Sequence, residues 1–195
     1  MSERPRVGVL AIQGDVAAHA RMLAGVGAEA IEVRVEKDLG GLDALVIPGG
    51  ESTTISKGME RLGLFEPIRA FAAAGGALLG TCAGAILLAR RVKNKPVATL
   101  ALLAATAVRN AYGTQVDSFA APADAGAADG FEGLRCIFIR APRLEDLGPD
   151  VRVLVRVDGE PVLVQQGSLL AATFHPELTP DARVHRHLLS LVRRG

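Results

Sequence analysis

The sequence predicts an α/β protein with a mostly parallel central sheet, helices on both faces of that sheet, and some antiparallel strands in the C-terminal half. Short, continuous apolar runs such as residues 7–12 have strand length, and such runs are typical of strands covered on both faces. In the first half of the chain these runs alternate with helical patterns. In the second half, apolar runs are separated by Asp158-Gly159 and Gln166-Gly167, which favour hairpins.

The composition is that of one globular domain, and we expect residues 1–195 to form it. A chain of 195 residues with 49% hydrophobic and 4% aromatic residues can build a sizeable aliphatic core. A formal net charge of +1 provides no basic field for nucleic acid or an anionic membrane. No window approaches the roughly 18 apolar residues of a membrane span, and residues 7–12 are too short for a secretion signal. Two distant cysteines form no disulfide framework and suit a reducing cytoplasm.

The first half of the chain alternates strand and helix signals. Strands are predicted over residues 7–12, 30–35, 42–47 and 77–79. Helices are predicted over residues 16–26, from residues 52–54 to about residue 61, and over residues 64–74. Asp15 and the hydroxyl side chains of residues 52–54 are suitable N-caps. On the first helix His19 is expected to be exposed. The predicted buried face of that helix consists of Val16, Ala20, Leu23 and Ala24.

The second half carries closely spaced strand signals. Residues 90–96 are basic and predict a solvated loop, and residues 120–130 predict a loop or short insertion. The apolar residues 100–107 suit either a helix or a strand. Strands are predicted over residues 136–139, 151–157, 162–166 and 169–173. A last helix is predicted over residues 181–192, with His185 and His187 exposed, and Cys136 is expected to pack as a small hydrophobe.

A cysteine lies between two glycines at the centre of the chain. Residues 80–84, Gly-Thr-Cys-Ala-Gly, follow one apolar run and precede another, so they predict a strand, a tight turn and a helix. Small residues beside a nucleophile allow the strand and the helix to approach closely. The N–H groups that begin the helix would then point at the Cys82 thiol and favour its reactive thiolate. A buried cysteine in a glycine-rich turn is the alternative.

A second loop follows a strand in the same way. Residues 48–54, Pro-Gly-Gly-Glu-Ser-Thr-Thr, contain two glycines that let the backbone come close to a ligand. An ordinary, well-capped βα loop explains this stretch equally well. However, ligands of open parallel sheets bind at the carboxyl ends of the strands, where this loop and Cys82 would both lie.

An Arg-Asn pair at residues 109–110 precedes a turn. The guanidinium of Arg109 has two parallel donors that match a carboxylate. A surface salt bridge is the simpler explanation when this pair is taken alone.

The last strand leads into residues 174–177, Phe-His-Pro-Glu. Pro176 disfavours the helical region for His175, so His175 and Glu177 can both face the sheet edge. A carboxylate bonded to one imidazole nitrogen leaves the other nitrogen free to act as a base. Cys82, His175 and Glu177 therefore predict a nucleophile, a base and an orienting group for acyl transfer.

With these motifs assembled, the chain resembles the triad-type (class I) glutamine amidotransferases, and more closely the glutaminase subunit of pyridoxal 5'-phosphate synthase. The resemblance extends from residue 7 to about residue 189, and it implies a flavodoxin-like, three-layer fold. It rests on residues 80–84 together with five further segments. These are residues 11–15 (Ala-Ile-Gln-Gly-Asp), 48–54, 109–113 (Arg-Asn-Ala-Tyr-Gly), 138–142 (Phe-Ile-Arg-Ala-Pro) and 174–179 (Phe-His-Pro-Glu-Leu-Thr).

The resemblance implies an activity and a partner. Such subunits hydrolyse L-glutamine to glutamate and pass ammonia to a synthase subunit, a (β/α)8 barrel, within a hetero-oligomeric complex. No metal or organic cofactor is expected. The implied triad is Cys82, His175 and Glu177. The implied glutamine-binding positions are Gly50, Glu51, Ser52, Arg109, Ile139 and Arg140.

The resemblance also implies an oxyanion hole. Its donors fall on Ala83 and on the Gly49-Gly50 loop, and the segment Gln13-Gly14 is expected to complete it when the synthase docks. The chain departs from the usual pattern at Thr114, where Arg is common, and at Ala120, where Glu is common. Neither departure touches the predicted triad.

Two other functions remain possible from the residues alone. A cysteine peptidase or thiol-stress hydrolase also uses a cysteine at a strand-to-helix turn, although the His-Pro-Glu and Gly-Gly-Glu-Ser segments count against it. A scaffold subunit with a vestigial triad is the other alternative, and the presence of all three triad residues counts against that.

Overall fold

A computed structural model of the chain describes residues 4–109, 118–124, 126–128 and 130–192. Its strands are β1 (Arg6–Leu10), β2 (Glu29–Val33), β3 (Ala44–Ile47), β4 (Ala77–Thr81), β5 (Ala89–Lys93), β6 (Leu103–Val108), β7 (Ser118–Pro122), β8 (Arg135–Ile139), β9 (Arg143–Glu145), β10 (Arg152–Val157), β11 (Glu160–Gln166) and β12 (Leu169–Ala172). Its α-helices are α1 (Val16–Gly25), α2 (Ser52–Arg61), α3 (Phe65–Ala73), α4 (Ala83–Leu88) and α5 (Arg183–Ser190). Short 3-10 turns lie at Glu36–Leu39 and Pro176–Leu178.

The main sheet has the strand order β10-β11-β12-β4-β3-β1-β2. Strands β12, β4, β3, β1 and β2 run parallel, whereas β10, β11 and β12 pair in antiparallel fashion. The hairpins predicted at Asp158-Gly159 and Gln166-Gly167 join these last three strands. The predicted mostly parallel sheet with antiparallel strands in the C-terminal half is therefore confirmed.

The two faces of this sheet bury two separate apolar cores. On β3, Leu45 and Ile47 belong to one core, while Ala44 and Val46 belong to the other. Helices α2, α3 and α4 complete the first core, and α1, α5 and strand β8 complete the second. Helices thus cover both faces, as the sequence predicts. Among the described helices, none is long and apolar enough to cross a membrane.

The prediction of a loop is wrong, at least in part, for two segments, because each contains a strand. Residues 90–93 lie in β5, which pairs with β6, and residues 120–122 lie in β7, which pairs with β8. The charged side chains of Arg90 and Arg91 are exposed on β5, and β7 alternates only between exposed and half-buried residues. Neither strand therefore has the apolar pattern that identifies a strand in sequence. The ambiguous residues 100–107 overlap strand β6, which begins at Leu103 and ends at Val108.

Candidate active site

Strands β4 and β12 are neighbours and bring two distant parts of the chain to one edge of the sheet. Thr81, the last residue of β4, pairs with Ala172, the last residue of β12. The Cys82 N–H continues the ladder by donating to the carbonyl of Ala172 over 2.8 Å. Because the two strands are parallel, Cys82 and His175 follow strand ends that lie side by side.

Cys82 occupies a strained turn between β4 and α4. Its φ of 48° and ψ of −104° place it outside the regions that L-residues favour. The flanking glycines are required by contact: a Cβ on Gly84 would lie 1.9 Å from the carbonyl oxygen of Ile47, and one on Gly80 would lie 2.5 Å from the carbonyl oxygen of Gly84. The strand-turn-helix predicted for residues 80–84 is confirmed.

His175 and Glu177 are hydrogen-bonded to each other beside the thiol. His175 Nδ1 lies 2.7 Å from Glu177 Oε1, and the Glu177 side chain is only 2% exposed. His175 has φ −106° and ψ 87°, outside the helical region as Pro176 predicts, and its N–H donates to the carbonyl of Ile137. Since Nδ1 is bonded to the carboxylate, the Nε2 nitrogen remains for the sulfur.

The surroundings of the His175 imidazole favour its protonated form. Burial opposes protonation of His175, but hydrogen bonds with Cys82 and Glu177, and the charges on both, outweigh it and raise the pKa of His175 to about 10. Burial of Glu177 opposes its ionisation, yet the hydrogen bond from His175 and the charge on His175 keep the pKa of Glu177 below its usual value. The Cys82 thiol also lies 3.7 Å from the carbonyl oxygen of Ile139.

The glycine loop after β3 packs directly against the imidazole. A Cβ on Gly49 would come within 2.5 Å of His175 Cε1, and one on Gly14 would come within 1.9 Å of the Gly49 carbonyl oxygen. The Glu51 N–H donates to Gln13 Oε1 over 2.8 Å. Because the carbonyl and the N–H of a trans peptide point in opposite directions, the Gly50 N–H points away from Gly14. Gln13 and Gly14 therefore support the loop from behind.

Glu51 and Arg109 form an ion pair at the mouth of the site. Arg109 donates to Glu51 Oε1 over 3.1 Å and to the Thr53 hydroxyl over 3.2 Å. Glu51 also caps α2: its carboxylate accepts from the N–H groups of Thr53 and Thr54, so the sequence-based assignment of residues 52–54 as caps is wrong. Burial opposes ionisation of Glu51, but these hydrogen bonds dominate and lower its pKa to about 2.

A cleft of about 500 Å³ opens over the sulfur. All six residues expected to bind glutamine line it, as do Cys82, Ala83 and His175. Sequence reasoning missed Ile86 and Ser118, which also line the cleft and carry no recognisable motif. Residues 110–114, including Asn110 and Thr114, lie outside the described residues, and Ala120 is exposed on β7 opposite Ile137. The remaining lining residues are Gly50, Glu51, Ser52, Arg109, Ile139 and Arg140.

Two histidines predicted to be exposed are fully buried. His19 on α1 and His185 on α5 have no exposed surface, so both predictions are wrong. The buried face of α1 consists of Ala18, His19 and Leu23, whereas Ala24 is exposed. Leu23 is buried and Val16 packs against the same core, as the sequence predicts, so the prediction is wrong only for Ala24 and for the polar His19. His187 is half-buried and contacts Gln165.

The free thiol, the imidazole and the carboxylate have the connectivity that nucleophilic catalysis at a carbonyl requires. Ala83 is the first residue of α4, so its N–H has no partner within the helix and lies next to the sulfur-bearing residue. The cleft adds one anionic and two cationic side chains, Glu51, Arg109 and Arg140, around this centre. Such a site suits a small zwitterionic substrate.

Comparison with known proteins gives a consistent result over almost the whole chain. A model of the SNO glutamine amidotransferase family matches residues 9–194. The pyridoxal 5'-phosphate synthase subunit PdxT of Acidothermus cellulolyticus is 51% identical over 98% of this chain and 95% of its own. The subunit of the same name from Deinococcus radiodurans is 49% identical over 95% of this chain and 99% of its own.

Solved structures agree with the sequence comparison. A crystal structure of a glutamine amidotransferase superposes with a TM-score of 0.90 at 47% identity, covering 95% of this chain and 98% of that one. The structure of PurLQS from Thermotoga maritima superposes with a TM-score of 0.71 over 98% of this chain and 100% of that one. At 16% identity the second likeness concerns the fold alone.

Proposed function

The chain belongs to the SNO glutamine amidotransferase family and is thus a glutaminase, and from this premise we propose that Cys82, His175 and Glu177 hydrolyse the side-chain amide of L-glutamine. One observation carries the proposal: the Cys82 thiol and a His175 imidazole that is hydrogen-bonded to Glu177 line one cleft at the ends of β4 and β12. The family is one of glutaminases, so the peptidase and scaffold alternatives lose their support.

Acylation begins with the Cys82 sulfur. The thiol gives its proton to His175 Nε2, and the thiolate attacks the amide carbon of the glutamine side chain. A carbon–sulfur bond forms and the carbonyl oxygen takes up the negative charge. His175 then protonates the amide nitrogen, the carbon–nitrogen bond breaks, and ammonia leaves. Glu177 holds the imidazole by Nδ1 and stabilises its protonated form throughout.

Backbone N–H groups stabilise the oxyanion. Ala83 supplies one, because it follows the nucleophile and begins α4. Gly50 supplies the second from the Gly49-Gly50 loop, with Gln13 and Gly14 supporting that loop. Loss of one such donor typically costs about 10²–10³ in rate.

Deacylation reuses the same groups. His175, neutral after ammonia leaves, takes a proton from water, and the resulting hydroxide attacks the thioester carbon. The carbon–sulfur bond breaks, glutamate forms, and His175 returns its proton to the leaving Cys82 sulfur.

The charged rim of the cleft selects a free amino acid. Glu51 binds the α-ammonium group, and Arg109 and Arg140 bind the α-carboxylate. Arg109 lies 3.1 Å from Glu51. The two side chains are therefore close enough for one zwitterion to place its ammonium group on Glu51 and its carboxylate on Arg109. Ser52 and the backbone of Ile139 complete the set next to the sulfur.

The names of the relatives extend the proposal to a pathway. As the glutaminase subunit of pyridoxal 5'-phosphate synthase, residues 1–195 act as a single domain that delivers ammonia to a synthase subunit, a (β/α)8 barrel, in a hetero-oligomeric complex. Delivery within a complex keeps ammonia unprotonated and away from water.

A glutamine hydrolysis assay with and without the synthase subunit tests this function. The proposal predicts glutamate release by the complex, its loss in Cys82→Ala, and its retention in Cys136→Ala, because Cys136 is buried among apolar residues. Glutamate release by Cys82→Ala at the wild-type rate would remove the assigned nucleophile. Cleavage of a peptide panel without glutamine turnover would remove the substrate.

A further inference from the structure

Two buried histidines lie behind the triad. His19 on α1 and His185 on α5 are both fully buried, and His19 Nδ1 lies 3.0 Å from His185 Nε2. Burial of a polar ring is costly unless it is hydrogen-bonded, so such a pair calls for a structural or functional reason. The elements that carry the two rings, α1 and α5, lie on the same face of the main sheet.

The histidine pair reaches Glu177 from the side opposite His175. His19 Nε2 is 3.4 Å from Glu177 Oε2 and 3.3 Å from the Thr81 hydroxyl oxygen, distances that suit one N–H shared between two acceptors. Glu177 Oε1 is taken by His175 at 2.7 Å. Among the described residues, buried Oε2 has no hydrogen bond of normal geometry, and His19 Nε2 lies 3.4 Å from it.

The tautomers of the pair follow from these contacts. If His19 carries its proton on Nε2, it donates toward Glu177 and accepts at Nδ1 from His185 Nε2–H. The buried atom left over is then His185 Nδ1, an acceptor, which has no partner in the described part of the chain. The opposite arrangement would aim a lone pair of His19 at a carboxylate and bury an unpaired N–H on His185. Buried orphan donors are the rarer case, so the first arrangement is favoured.

We propose that His19 and His185 are positioning residues for the triad: His185 donates to His19, and His19 donates to Glu177 Oε2. The carboxylate is thereby held in the orientation that presents Oε1 to His175. This inference rests on the proposed catalytic role of Cys82, His175 and Glu177. His19 and His185, which do not line the cleft, thereby take part in the hydrolysis of glutamine.

The neutrality of both rings is part of this device. Burial lowers the pKa of His19, a trend reinforced by His175 and opposed by Glu177 and Asp15. Burial is the main cause that lowers the pKa of His185, against a smaller opposing effect of Glu177. A neutral His19 stabilises the carboxylate as a dipole and leaves its full charge for the protonated His175. A charged His19 would compete with His175 for Glu177.

Nitrogen NMR of isotope-labelled histidine in the intact protein tests the arrangement without measuring turnover. We expect His19 and His185 both to be neutral Nε2–H tautomers, and neither to titrate between about pH 5 and 8, where an unperturbed histidine does. An Nδ1–H tautomer at His19, or protonation of either ring in that range, would overturn the proposal. Because no substrate is involved, this result is separate from success or failure of the proposed triad.

A pair of amide variants tests the catalytic consequence in the complex with the synthase subunit. The side-chain N–H of His19→Gln can reach the position of Nε2, whereas that of His19→Asn reaches only the position of Nδ1. We expect His19→Asn to lower kcat/KM for glutamine by about 10- to 100-fold, as lost outer hydrogen-bond partners do at other sites. The acid limb of the pH profile of kcat/KM should move to higher pH in this variant, because the Glu177 carboxylate ionises less readily without its donor. His19→Gln should restore most of the activity and the original limb.

Matched controls separate positioning from packing. His187→Asn changes a histidine on the same helix as His185 that contacts Gln165 instead, and it should leave kcat/KM and the pH profile unchanged. His185→Leu should act in the same direction as His19→Asn but less strongly, since it works through His19. The proposal would be overturned if His19→Gln and His19→Asn lost kcat/KM equally, in proportion to their loss of thermal stability, and if the acid limb did not move. The histidine pair would then serve core packing alone.

Discussion

Gly49 and His175 lie so close together that a Cβ on Gly49 would come within 2.5 Å of His175 Cε1. The same Cβ would lie 3.3 Å from Cys82 Cβ, so the glycine loop fills the space beside both reacting side chains. The loop therefore limits the positions open to the imidazole, which is also hydrogen-bonded to Glu177. Absence of a side chain at residue 49 is a condition for the thiol–imidazole contact.

Gly49→Ala should therefore lower glutaminase activity much more than it lowers stability. The methyl group must push His175 away from the sulfur, and a misplacement of about 1 Å can cost 10²-fold in rate. Glutamate release by the complex measures the effect. Gly25→Ala is the control, because a Cβ there meets nothing within 4 Å and should leave activity unchanged. Equal activities in the two variants would contradict the assigned role of the loop.

Gly84→Ala should destabilise the fold itself. A Cβ at residue 84 would lie 1.9 Å from the Ile47 carbonyl oxygen, and a backbone atom cannot move aside as a flexible side chain can. We expect a loss of about 3 kcal/mol or more in the free energy of unfolding, at the upper end for overpacked sites. Urea unfolding measures it, and a change within error of wild type would mean that α4 can shift away from β3.

Arg109→Met should weaken glutamine binding more than it slows the chemistry. Arg109 is 11% exposed and touches Glu51 and Thr53 at the cleft, so its loss removes a charge-assisted contact with the substrate carboxylate. We expect KM to rise about 10-fold or more, with a smaller change in kcat. Arg34→Met removes an exposed ion pair with Glu32 outside the cleft lining and should leave KM unchanged. An unaltered KM in Arg109→Met would argue against this binding mode.

The buried histidine pair should make the fold sensitive to acid. Burial is the main cause that lowers the pKa of His185 to about 3, so below about pH 6.5 the unfolded chain binds a proton that the folded chain does not. The contribution of His185 to the free energy of unfolding is fully present above about pH 6.5 and is lost as the pH falls. From pH 7 to pH 5 this amounts to about 2 kcal/mol for His185. His185→Leu, compared with itself at pH 7 to cancel any packing loss, should lose correspondingly less stability; parallel pH curves would contradict the prediction.

The sequence could place the three residues of the proposed triad at one sheet edge because each is tied to a strand end by local chemistry. The glycines around Cys82 and the proline after His175 are specific signals, and parallel strands deliver their carboxyl ends to one edge. The order of β4 and β12 in the sheet, which makes the two residues neighbours, is a tertiary fact that the spacing of motifs alone does not contain.

Each error of the sequence-based prediction has a physical cause. His19 and His185 were expected to be exposed because single-helix periodicity registers polar residues as solvent-facing, whereas each ring finds its partner on another element. The basic residues 90–93 were expected to form a loop because the long charged side chains of an edge strand can face water while its backbone is paired. The sequence predicts Glu51 only as a ligand for the substrate, yet its carboxylate also caps α2.

Labelling of the complex with a glutamine-mimicking electrophile, followed by peptide mapping, tests most directly whether one sheet edge activates the Cys82 sulfur. The account predicts modification of Cys82, protection by glutamine, and much slower labelling in His175→Asn. Cys136 should remain unmodified, because burial raises the pKa of its thiol to about 12. Modification of Cys136 in place of Cys82, or labelling of Cys82 at the wild-type rate in His175→Asn, would contradict it.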